Sequence, residues 1–564
     1  MATPTSSIAT TRGGAFLTED RAPAEIFTAE DLSAEHRAIA RTVDEFYAKE
    51  VEPHLEAIQH HEPGVAREVC RKAAEMGLAA IMIPEKFGGM EMDLTAMMVA
   101  AEHFAGDASF SGWISAHVGI GTLPLLFFGN EQQKAKYLPK LASLEMLSAY
   151  ALTEPHAGSD ALAARTRADL SPDGTHYILN GQKMWITNGG AADLFTVFAK
   201  VGGEKFTAFL VERGFGVKSG AEEKKMGIKG SSTTALYFDN VPVPAENVLG
   251  EIGRGHIIAL NVLNIGRLKL GPGTMGGAKK VLAACLKYAK DRKAFGRAIG
   301  EFGAIKHKLA EMAIRIYAGE AMVWRTVGMI EARLGGFSWE RADGAQMVLK
   351  AVEEFAVECS IVKVFASEVL DYVTDEGVQI HGGYGFHQDY MVERAYRDSR
   401  INRIFEGTNE INRLLIPGML LKRAARGQLA LEWSGDDLRA DAPVEDRLVR
   451  NAKALALAAL NAAGRYGAAL DEQQEVLIRI ADIIIETYAM ESALLRARKL
   501  GEGSMAAEMT SVFLRDAMGR IEIAARDVLP VEAVRHLAAC EPVDAIVLRR
   551  AIADRLLRAG RYVL

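Results

Sequence analysis

With 564 residues, of which 49% are hydrophobic, the chain is long enough for about three to four domains and can bury large cores, so a chain that is disordered throughout is excluded. The 66 basic and 73 acidic residues give a net charge of -7, which argues against a dedicated nucleic-acid-binding protein. The four cysteines lie far apart, and their spacing fits neither a zinc site nor a disulfide framework.

Residues 1–30 are predicted to form a flexible tail. Residues 1–17 are rich in Ala, Thr and Ser and lack the apolar core of a secretory signal. No stretch reaches the about 18 uninterrupted apolar residues of a membrane-spanning helix, because even the run at 454–469 contains Asn461 and Arg465. We therefore expect a soluble protein.

Beyond the tail, the spacing of apolar residues changes twice. Positions such as Ile39, Val43 and Phe46 recur at helical spacing, whereas the next region has short β-type runs separated by Gly-containing turns. Helical spacing then returns, and Gly and Pro residues interrupt it once. The predicted order is an α domain (31–147), a β domain (148–255), a second α domain (256–426), a linker (427–443) and a further α domain (444–564).

The β domain is predicted to be a compact all-β insert. Its five predicted strands are 176–179, 183–187, 194–200, 205–211 and 233–238. Gly-containing pairs are predicted to turn the chain between strands, among them Asp173-Gly174, Asn180-Gly181 and Gly202-Gly203.

Gly271-Pro272-Gly273-Thr274-Met275-Gly276 satisfies the GxGxxG pattern literally. A dinucleotide-binding fingerprint needs a strand before it and a helix after it, but the preceding residues 261–270 have helical spacing. The sequence therefore favours close helix packing around these glycines over a nucleotide site.

Two segments of the β region have a structural and a functional interpretation. The polar loop 153–160 is either a turn or a cradle whose N–H groups and hydroxyls bind phosphate or the polar edge of a ring. Trp185 and Thr187 lie two apart, so they share one face of the predicted strand. They either pack in a core or cover and hydrogen-bond a flat ligand.

Two segments of the second α domain are equally ambiguous from chemistry alone. Residues 379–386 contain three glycines in four positions, which permits either a turn or close approach to a ligand, and His381 is expected to be a packed histidine rather than a metal ligand. Glu406 follows an aromatic residue and precedes Gly407. It is either a solvated or capping glutamate or a general base in an apolar pocket.

Together these segments resemble the acyl-CoA dehydrogenase family. The resemblance covers about residues 31–426 and rests on five strings in register, and the very-long-chain type, which carries a C-terminal helical extension, is the closest match within the family. The five strings are YALTEPHAGSD, KMWITNGG, DRKAFG, QIHGGYGF and IFEGTNE.

The resemblance implies a mainly α fold with a central, barrel-like all-β domain, a four-helix bundle at 256–426 and an extra helical domain. It implies FAD as cofactor and the oxidation of fatty acyl-CoA to trans-2-enoyl-CoA in β-oxidation. Glu406 matches the base that removes the α-proton, with electrons passed to electron-transfer flavoprotein. Two alternatives are an acyl-CoA oxidase that passes electrons to oxygen and a dehydrogenase-like assembly protein.

The other site residues are carried over from the same strings. Arg292 and Phe295 match residues that reach the FAD of a neighbouring subunit, which implies a homodimer. The predicted substrate contacts are Ser159, Arg267, Glu406 and Gly407, and of these Arg267 matches an arginine beside the catalytic glutamate. The predicted cofactor contacts are Tyr150, Leu152, Thr153, Gly158, Ser159, Trp185, Thr187, Arg292, Phe295, Gln379, Gly383, Thr408 and Glu410.

Three departures and one surface feature qualify the resemblance. His156 replaces a small residue in the polar loop. Phe110 and Trp113 are bulky where long-chain members place small residues, so the sequence leaves the acyl-chain length open. A basic helix around Arg549 and Arg555 is either packed on its own protein or attached to a membrane surface. The expected location is the bacterial cytoplasm, or the mitochondrial matrix in a eukaryote.

Overall fold

The structure is a computed structural model and describes residues 10–432, 442–501 and 503–564. The chain forms two compact units. The N-terminal unit comprises Ala34–Lys269 and Gly336–Glu353, and the helical unit comprises Leu270–Gly335, Glu354–Leu564 and the described part of Met1–Ser33.

The N-terminal unit begins with helices. In α1 the buried residues are Ile39, Val43 and Phe46, so the predicted helical spacing is confirmed. The helices are α1 (Ala34–Phe46), α2 (Leu55–Gln59), α3 (Val65–Glu75), α4 (Leu94–His103), α5 (Ala108–Ala116), α6 (Leu123–Phe128) and α7 (Glu131–Ala142).

A single eight-stranded sheet follows. Its order is β6-β7-β3-β2-β4-β5-β8, and β1 pairs in parallel with β4. The inward-facing residues, such as Leu179, Phe195 and Leu236, form a continuous apolar core. The strands are β1 (Ser148–Ala151), β2 (Arg167–Leu170), β3 (His176–Thr187), β4 (Leu194–Val201), β5 (Lys205–Glu212), β6 (Lys218–Glu222), β7 (Thr233–Pro244) and β8 (Val248–Leu249).

The predicted turn at Asn180-Gly181 is wrong. Residues 176–187 form one continuous strand, and its register against β7 shifts between Leu179 and Gly181. Gly181 has φ 152°, and a Cβ there would lie 2.5 Å from the Thr166 hydroxyl oxygen. The glycine therefore permits a bulge with close backbone approach rather than a reversal of the chain.

Long helix α8 (Gly255–Asp291) contributes residues to both units. Its GxGxxG segment lies inside the helix, and a Cβ at Gly271 would come within 2.5 Å of Val362 and 2.9 Å of Val323. The close-packing interpretation of these glycines is therefore confirmed.

The remaining helices belong mainly to the helical unit. Helices α9, α11 and α13 pack together, and α15, α16 and α18 pack on α9. They are α9 (Gly303–Ala332), α10 (Gly344–Glu354, largely in the N-terminal unit), α11 (Ala356–His381), α12 (Met391–Ser399), α13 (Asn409–Ala425), α14 (Val444–Ala463), α15 (Gln474–Leu500), α16 (Met505–Arg526), α17 (Val531–Ala538) and α18 (Ala545–Ala559). A two-stranded hairpin, β9 (Lys293–Ala294) and β10 (Arg297–Ala298), interrupts the helices.

The prediction of a flexible tail is wrong for residues 15–30. Phe16 is buried with its ring 4.7 Å from that of Tyr488, and Phe27 is buried 6.3 Å from Trp324. Aromatic contacts with α15 and α9 therefore order this segment, and nothing within the segment itself signals them. Residues 1–9 and 433–441, the latter within the predicted linker, lie outside the described residues.

The basic helix α18 is packed on its own protein, which is the first of the two alternatives that the sequence leaves open. Ile552 and Leu556 are buried, Arg549 pairs with Glu311 at 2.6 Å, and Arg555 pairs with Glu508 at 2.8 Å. Membrane attachment of this helix stays a prediction.

One described stretch, Ala108–Phe128, is long and apolar enough by mean composition to cross a membrane, although polar residues such as Ser111 and His117 interrupt it. It comprises α5, a π-helical turn and α6, and 72% of its apolar window is buried within the protein. Core helices of folded proteins are buried in this way and have a similar composition, so the stretch is weak evidence for a membrane span.

Candidate functional site

Strand β1 leads directly into the polar loop of the N-terminal unit. Tyr150 and Leu152 are buried, and the Tyr150 ring meets Phe198 edge-on at 5.1 Å. Reciprocal 3.1 Å hydrogen bonds between Glu154 and Ala157 close a tight turn. Beyond the turn, Gly158 and Ser159 are exposed. The predicted cofactor contacts of this segment are therefore buried at its β1 end, at Tyr150 and Leu152, and solvent-exposed at Gly158 and Ser159.

A buried ion pair holds this loop against β3. The Lys183 ammonium donates to the Leu152 carbonyl at 3.0 Å and to the Glu154 carboxylate at 2.7 Å, and neither ionic side chain is more than 6% exposed. Burial lowers the pKa of Lys183 to about 8, against the opposing pull of Glu154. Burial also opposes ionisation of Glu154, but Lys183 and the Arg165 N–H lower the pKa of Glu154 on balance.

Trp185 lies where β3 meets the polar loop. The N–H of Met184 donates to the Thr153 carbonyl at 2.9 Å. Trp185 is 55% exposed with φ 59°, Ile186 is buried and Thr187 is half-buried. The structure therefore brings together the two segments of the N-terminal unit that the sequence singles out.

Three further predicted positions of this unit lie on helices. Arg267, on α8, is buried and donates to Asn264 at 3.0 Å. Phe110 is fully buried beside Phe104, with ring centroids 6.0 Å apart, and the Trp113 indole donates to the Gly230 carbonyl at 2.8 Å. The bulk of Phe110 thus fills the helical core of the unit.

In the helical unit, the β9–β10 hairpin displays Phe295. This residue is 93% exposed, has φ 51° and follows Arg292, whose guanidinium lies 5.5 Å from the Tyr384 ring centroid. Gln379 and Gly383 are exposed, as is Phe386 at 85%. The hairpin and residues 379–386 therefore form one exposed aromatic and basic surface.

His381 is packed within this segment, as predicted. Its ring stacks on Tyr288 at 4.1 Å, and its Nδ1 lies 2.8 Å from the Gly377 carbonyl oxygen. Burial lowers its pKa.

Glu406 lies in the short connection before α13. Glu406 and Gly407 have φ values of 57° and 83°, and the Glu406 Oε2 atom is shielded from solvent. Thr408 caps α13 by accepting the N–H of Ile411 at 3.2 Å, and Glu410 is exposed in the first turn. The connection is thus short, Thr408 caps the helix that follows it, and the backbone at Glu406, the predicted base, is left-handed.

Two polar side chains that no sequence motif indicated, Lys363 and Asn412, hold this connection. Lys363, fully buried on α11, donates to the Gly407 carbonyl and to Asn409 Oδ1, both at 2.7 Å. Buried Asn412 donates to the carbonyls of Gly407 and Thr408 at 2.8 and 3.0 Å. The only sequence signal is a lysine inside the apolar run Val362–Phe365.

Three predicted site residues share an unfavourable backbone conformation. Among the described residues, nine non-glycine positions have positive φ, and three of them are Trp185, Phe295 and Glu406. Side chains of this size avoid the left-handed region at a cost of about 1–3 kcal/mol each, and such conformations cluster at functional sites.

Comparison with known proteins identifies the class of protein. Family profiles for the acyl-CoA dehydrogenase N-terminal and middle domains match residues 33–145 and 149–241. Two profiles, each described as an acyl-CoA dehydrogenase C-terminal domain, match 253–420 and 451–534. The chain belongs to the acyl-CoA dehydrogenase family, with an additional C-terminal helical domain.

The chain is similar over its length to two bacterial proteins. A Bacillus subtilis protein named "Probable acyl-CoA dehydrogenase" is 46% identical, with 98% of both chains covered. The crystal structure of a Bacillus anthracis acyl-CoA dehydrogenase complexed with FAD is 46% identical, with a TM-score of 0.94 over 98% of this chain and 100% of that one. The human mitochondrial very long-chain specific acyl-CoA dehydrogenase is 38% identical over 77% of this chain and 70% of its own.

FAD is the cofactor of this enzyme, and the residues present fit it. The N-terminal unit offers the exposed indole of Trp185 and a loop in which a Cβ at Gly158 would meet no atom within 4 Å. The helical unit offers exposed Phe295 and the guanidinium of Arg292. In the N-terminal unit, the exposed indole and open backbone suit a flat ring and a phosphate, and in the helical unit the exposed Phe295 ring and the Arg292 cation suit the same kinds of group.

Proposed function

We propose that this enzyme oxidises fatty acyl-CoA to trans-2-enoyl-CoA with Glu406 as the catalytic base. The Glu406 carboxylate takes the α-proton, and the backbone N–H of Glu406 donates to the thioester oxygen, where negative charge develops. When bound, FAD supplies the two-electron oxidant that accepts a hydride from the β-carbon. Ser159, Arg267 and Gly407 are proposed to bind the substrate.

The observation that carries this proposal is the held conformation of residues 406–408. Glu406 has a left-handed backbone and a shielded Oε2, while Lys363 and Asn412 fix the carbonyls that follow it. A glutamate that only capped a helix would not require this conformation. A carboxylate directed at one carbon atom does require a fixed backbone, because small misplacements reduce rates steeply.

The cofactor roles of the other predicted residues belong to the same proposal. Tyr150, Leu152, Thr153, Gly158, Ser159, Trp185 and Thr187 serve the flavin and pyrophosphate, and Thr408 and Glu410 complete the contacts near the base. Arg292, Phe295, Gln379 and Gly383 serve the FAD of a second subunit. The 93% exposure of Phe295 supports this homodimer, because an aromatic residue in a strained turn gains from being covered.

The test is the Glu406→Gln variant. It should retain its flavin absorbance but lose acyl-CoA-dependent flavin reduction by about 10²- to 10⁴-fold, because an amide cannot take the proton. Anaerobic bleaching of the flavin by acyl-CoAs of increasing chain length measures this loss and the chain-length preference. The matched control is Glu353→Gln, which changes an exposed glutamate on α10.

Reduction of Glu406→Gln at the wild-type rate would refute the assignment of the base. Reoxidation of the reduced wild-type enzyme identifies the acceptor. We expect rapid reoxidation by electron-transfer flavoprotein and slow reoxidation by air, whereas hydrogen peroxide formed at the rate of turnover would identify an oxidase.

A further inference from the structure

We propose that the additional C-terminal helical domain positions the loop that carries Glu406, and that Asp482 on α15 is the positioning residue. The inference rests on the proposed role of Glu406. Its basis is a continuous series of hydrogen bonds within the helical unit, from Asp482 to the carbonyl of Gly407.

The series begins at Arg413 on α13. Its Nε donates to Asp482 Oδ1 at 2.7 Å, and its two terminal nitrogens donate to the two carboxylate oxygens of Glu368 on α11 at 2.7 and 3.0 Å. A guanidinium held from two sides has a fixed orientation, which a single carboxylate would not impose. Asp482 therefore fixes the orientation of the Arg413 guanidinium toward Glu368.

Glu368 connects Arg413 to Asn409, the first residue of α13. Its Oε1 also accepts from the Asn409 amide at 3.0 Å, and Asn409 is 3% exposed. The oxygen of that amide accepts from Lys363 at 2.7 Å, and Lys363 donates to the Gly407 carbonyl at 2.7 Å. Because each group holds its neighbour, a shift of Arg413 reaches the residue beside Glu406 through three side chains.

The location of Asp482 gives the extra domain this role. Arg413, Glu368, Asn409 and Lys363 all precede the predicted linker, whereas Asp482 lies after it in the region that the second C-terminal family profile matches. The extra domain thus contacts α13, which follows the Glu406 loop, through the Asp482–Arg413 ion pair, in addition to the other contacts of α15 with α9 and α13.

The test compares Asp482→Ala with Glu486→Ala. Glu486 lies one turn further along α15 and pairs with Arg520 on α16 at 2.7 and 3.0 Å, so its loss removes a similar ion pair away from α13. Asp482→Ala should lower the limiting rate of flavin reduction about 3- to 10-fold while KM and FAD content stay unchanged. Glu486→Ala should stay within about 2-fold of wild type at a similar loss of thermal stability.

A double-mutant cycle tests whether Asp482 and Lys363 act through one connected series of hydrogen bonds or independently of each other. In a Lys363→Met background, Asp482→Ala should change the rate by less than about 2-fold, because the connection is already broken. Full additivity of the two changes, or equal effects of Asp482→Ala and Glu486→Ala, overturns the proposal. Asp482→Asn provides the same comparison if the alanine variant does not fold.

Hydrogen exchange tests the coupling without relying on activity. Asp482→Ala should speed deuterium uptake in peptides covering residues 404–412, whereas Glu486→Ala should not. Unchanged uptake in both variants overturns the positioning role. If no acyl-CoA reduces the wild-type flavin, the proposed function fails, while this exchange experiment still decides whether the domain holds the loop.

Discussion

Two loops of the molecule are each held by a buried lysine, but the acceptors differ. In the N-terminal unit Lys183 donates to the Leu152 carbonyl and to the charged Glu154 carboxylate. In the helical unit Lys363 donates to the Gly407 carbonyl and to the uncharged Asn409 amide oxygen. An ammonium group bonded to a loop carbonyl thus holds both loops, in one case together with a buried carboxylate and in the other together with a neutral amide.

The largest effect is expected from Lys183→Met. The change leaves the Glu154 carboxylate buried without its ammonium partner, which should lower the free energy of unfolding by about 3–5 kcal/mol. Urea denaturation measures the loss. Lys205→Met, an exposed lysine on β5, is the control and should change stability by less than about 0.5 kcal/mol.

Adding Glu154→Gln to Lys183→Met should restore part of that stability, because the stranded charge is removed. A double variant as unstable as the single one would show that packing, rather than charge, accounts for the loss.

A second, smaller effect concerns pH and the start of β1. His117 is fully buried and neutral, since Ser148 N–H donates to its Nδ1 at 3.1 Å and Nε2 donates to the Leu141 carbonyl at 3.0 Å. Burial lowers the pKa of His117 to about 4. Between about pH 6.5 and 4 the unfolded chain therefore binds more protons than the folded protein. The free energy of unfolding decreases by up to about 3 kcal/mol as the pH is lowered across that window.

The measurement is the free energy of unfolding from pH 7 to 4. His117→Gln should have a shallower slope than wild type across that range, whereas His60→Gln, which alters an exposed histidine, should match wild type. Parallel slopes for wild type and His117→Gln would mean that His117 is not the titrating group.

The smallest loss of stability is expected from Lys363→Met. It removes the donor from two neutral acceptors, which costs about 1–3 kcal/mol, less than stranding a buried charge. Flavin reduction should nevertheless slow more than in Lys183→Met molecules that retain FAD, because the Lys363 loop carries Glu406. Stopped-flow absorbance measures the rate, and Lys422→Met, on an exposed lysine of α13, is the control.

If Lys183→Met slows reduction as much as Lys363→Met at equal flavin content, the functional contrast between the two loops is lost. A loss of stability in Lys363→Met above that of Lys183→Met would instead reverse the contrast between charged and neutral acceptors.

The order of the α and β regions, the family and the segments that carry the predicted site can all be inferred from the sequence. Helical and strand periodicity is local, so Ile39, Val43 and Phe46 reveal a buried helix face without the rest of the fold. The strings around Trp185 and Glu406 are likewise contiguous in the chain.

The groups that support those segments are visible only in the folded protein. Lys183 and Lys363 bind backbone carbonyls, which every residue possesses, so no side-chain pattern marks these contacts. Phe16 becomes ordered by Tyr488, and Glu368 lies near Asn409 only after the helices pack. Contacts between distant parts of the chain depend on how the helices and strands assemble, and local sequence carries little information about that assembly.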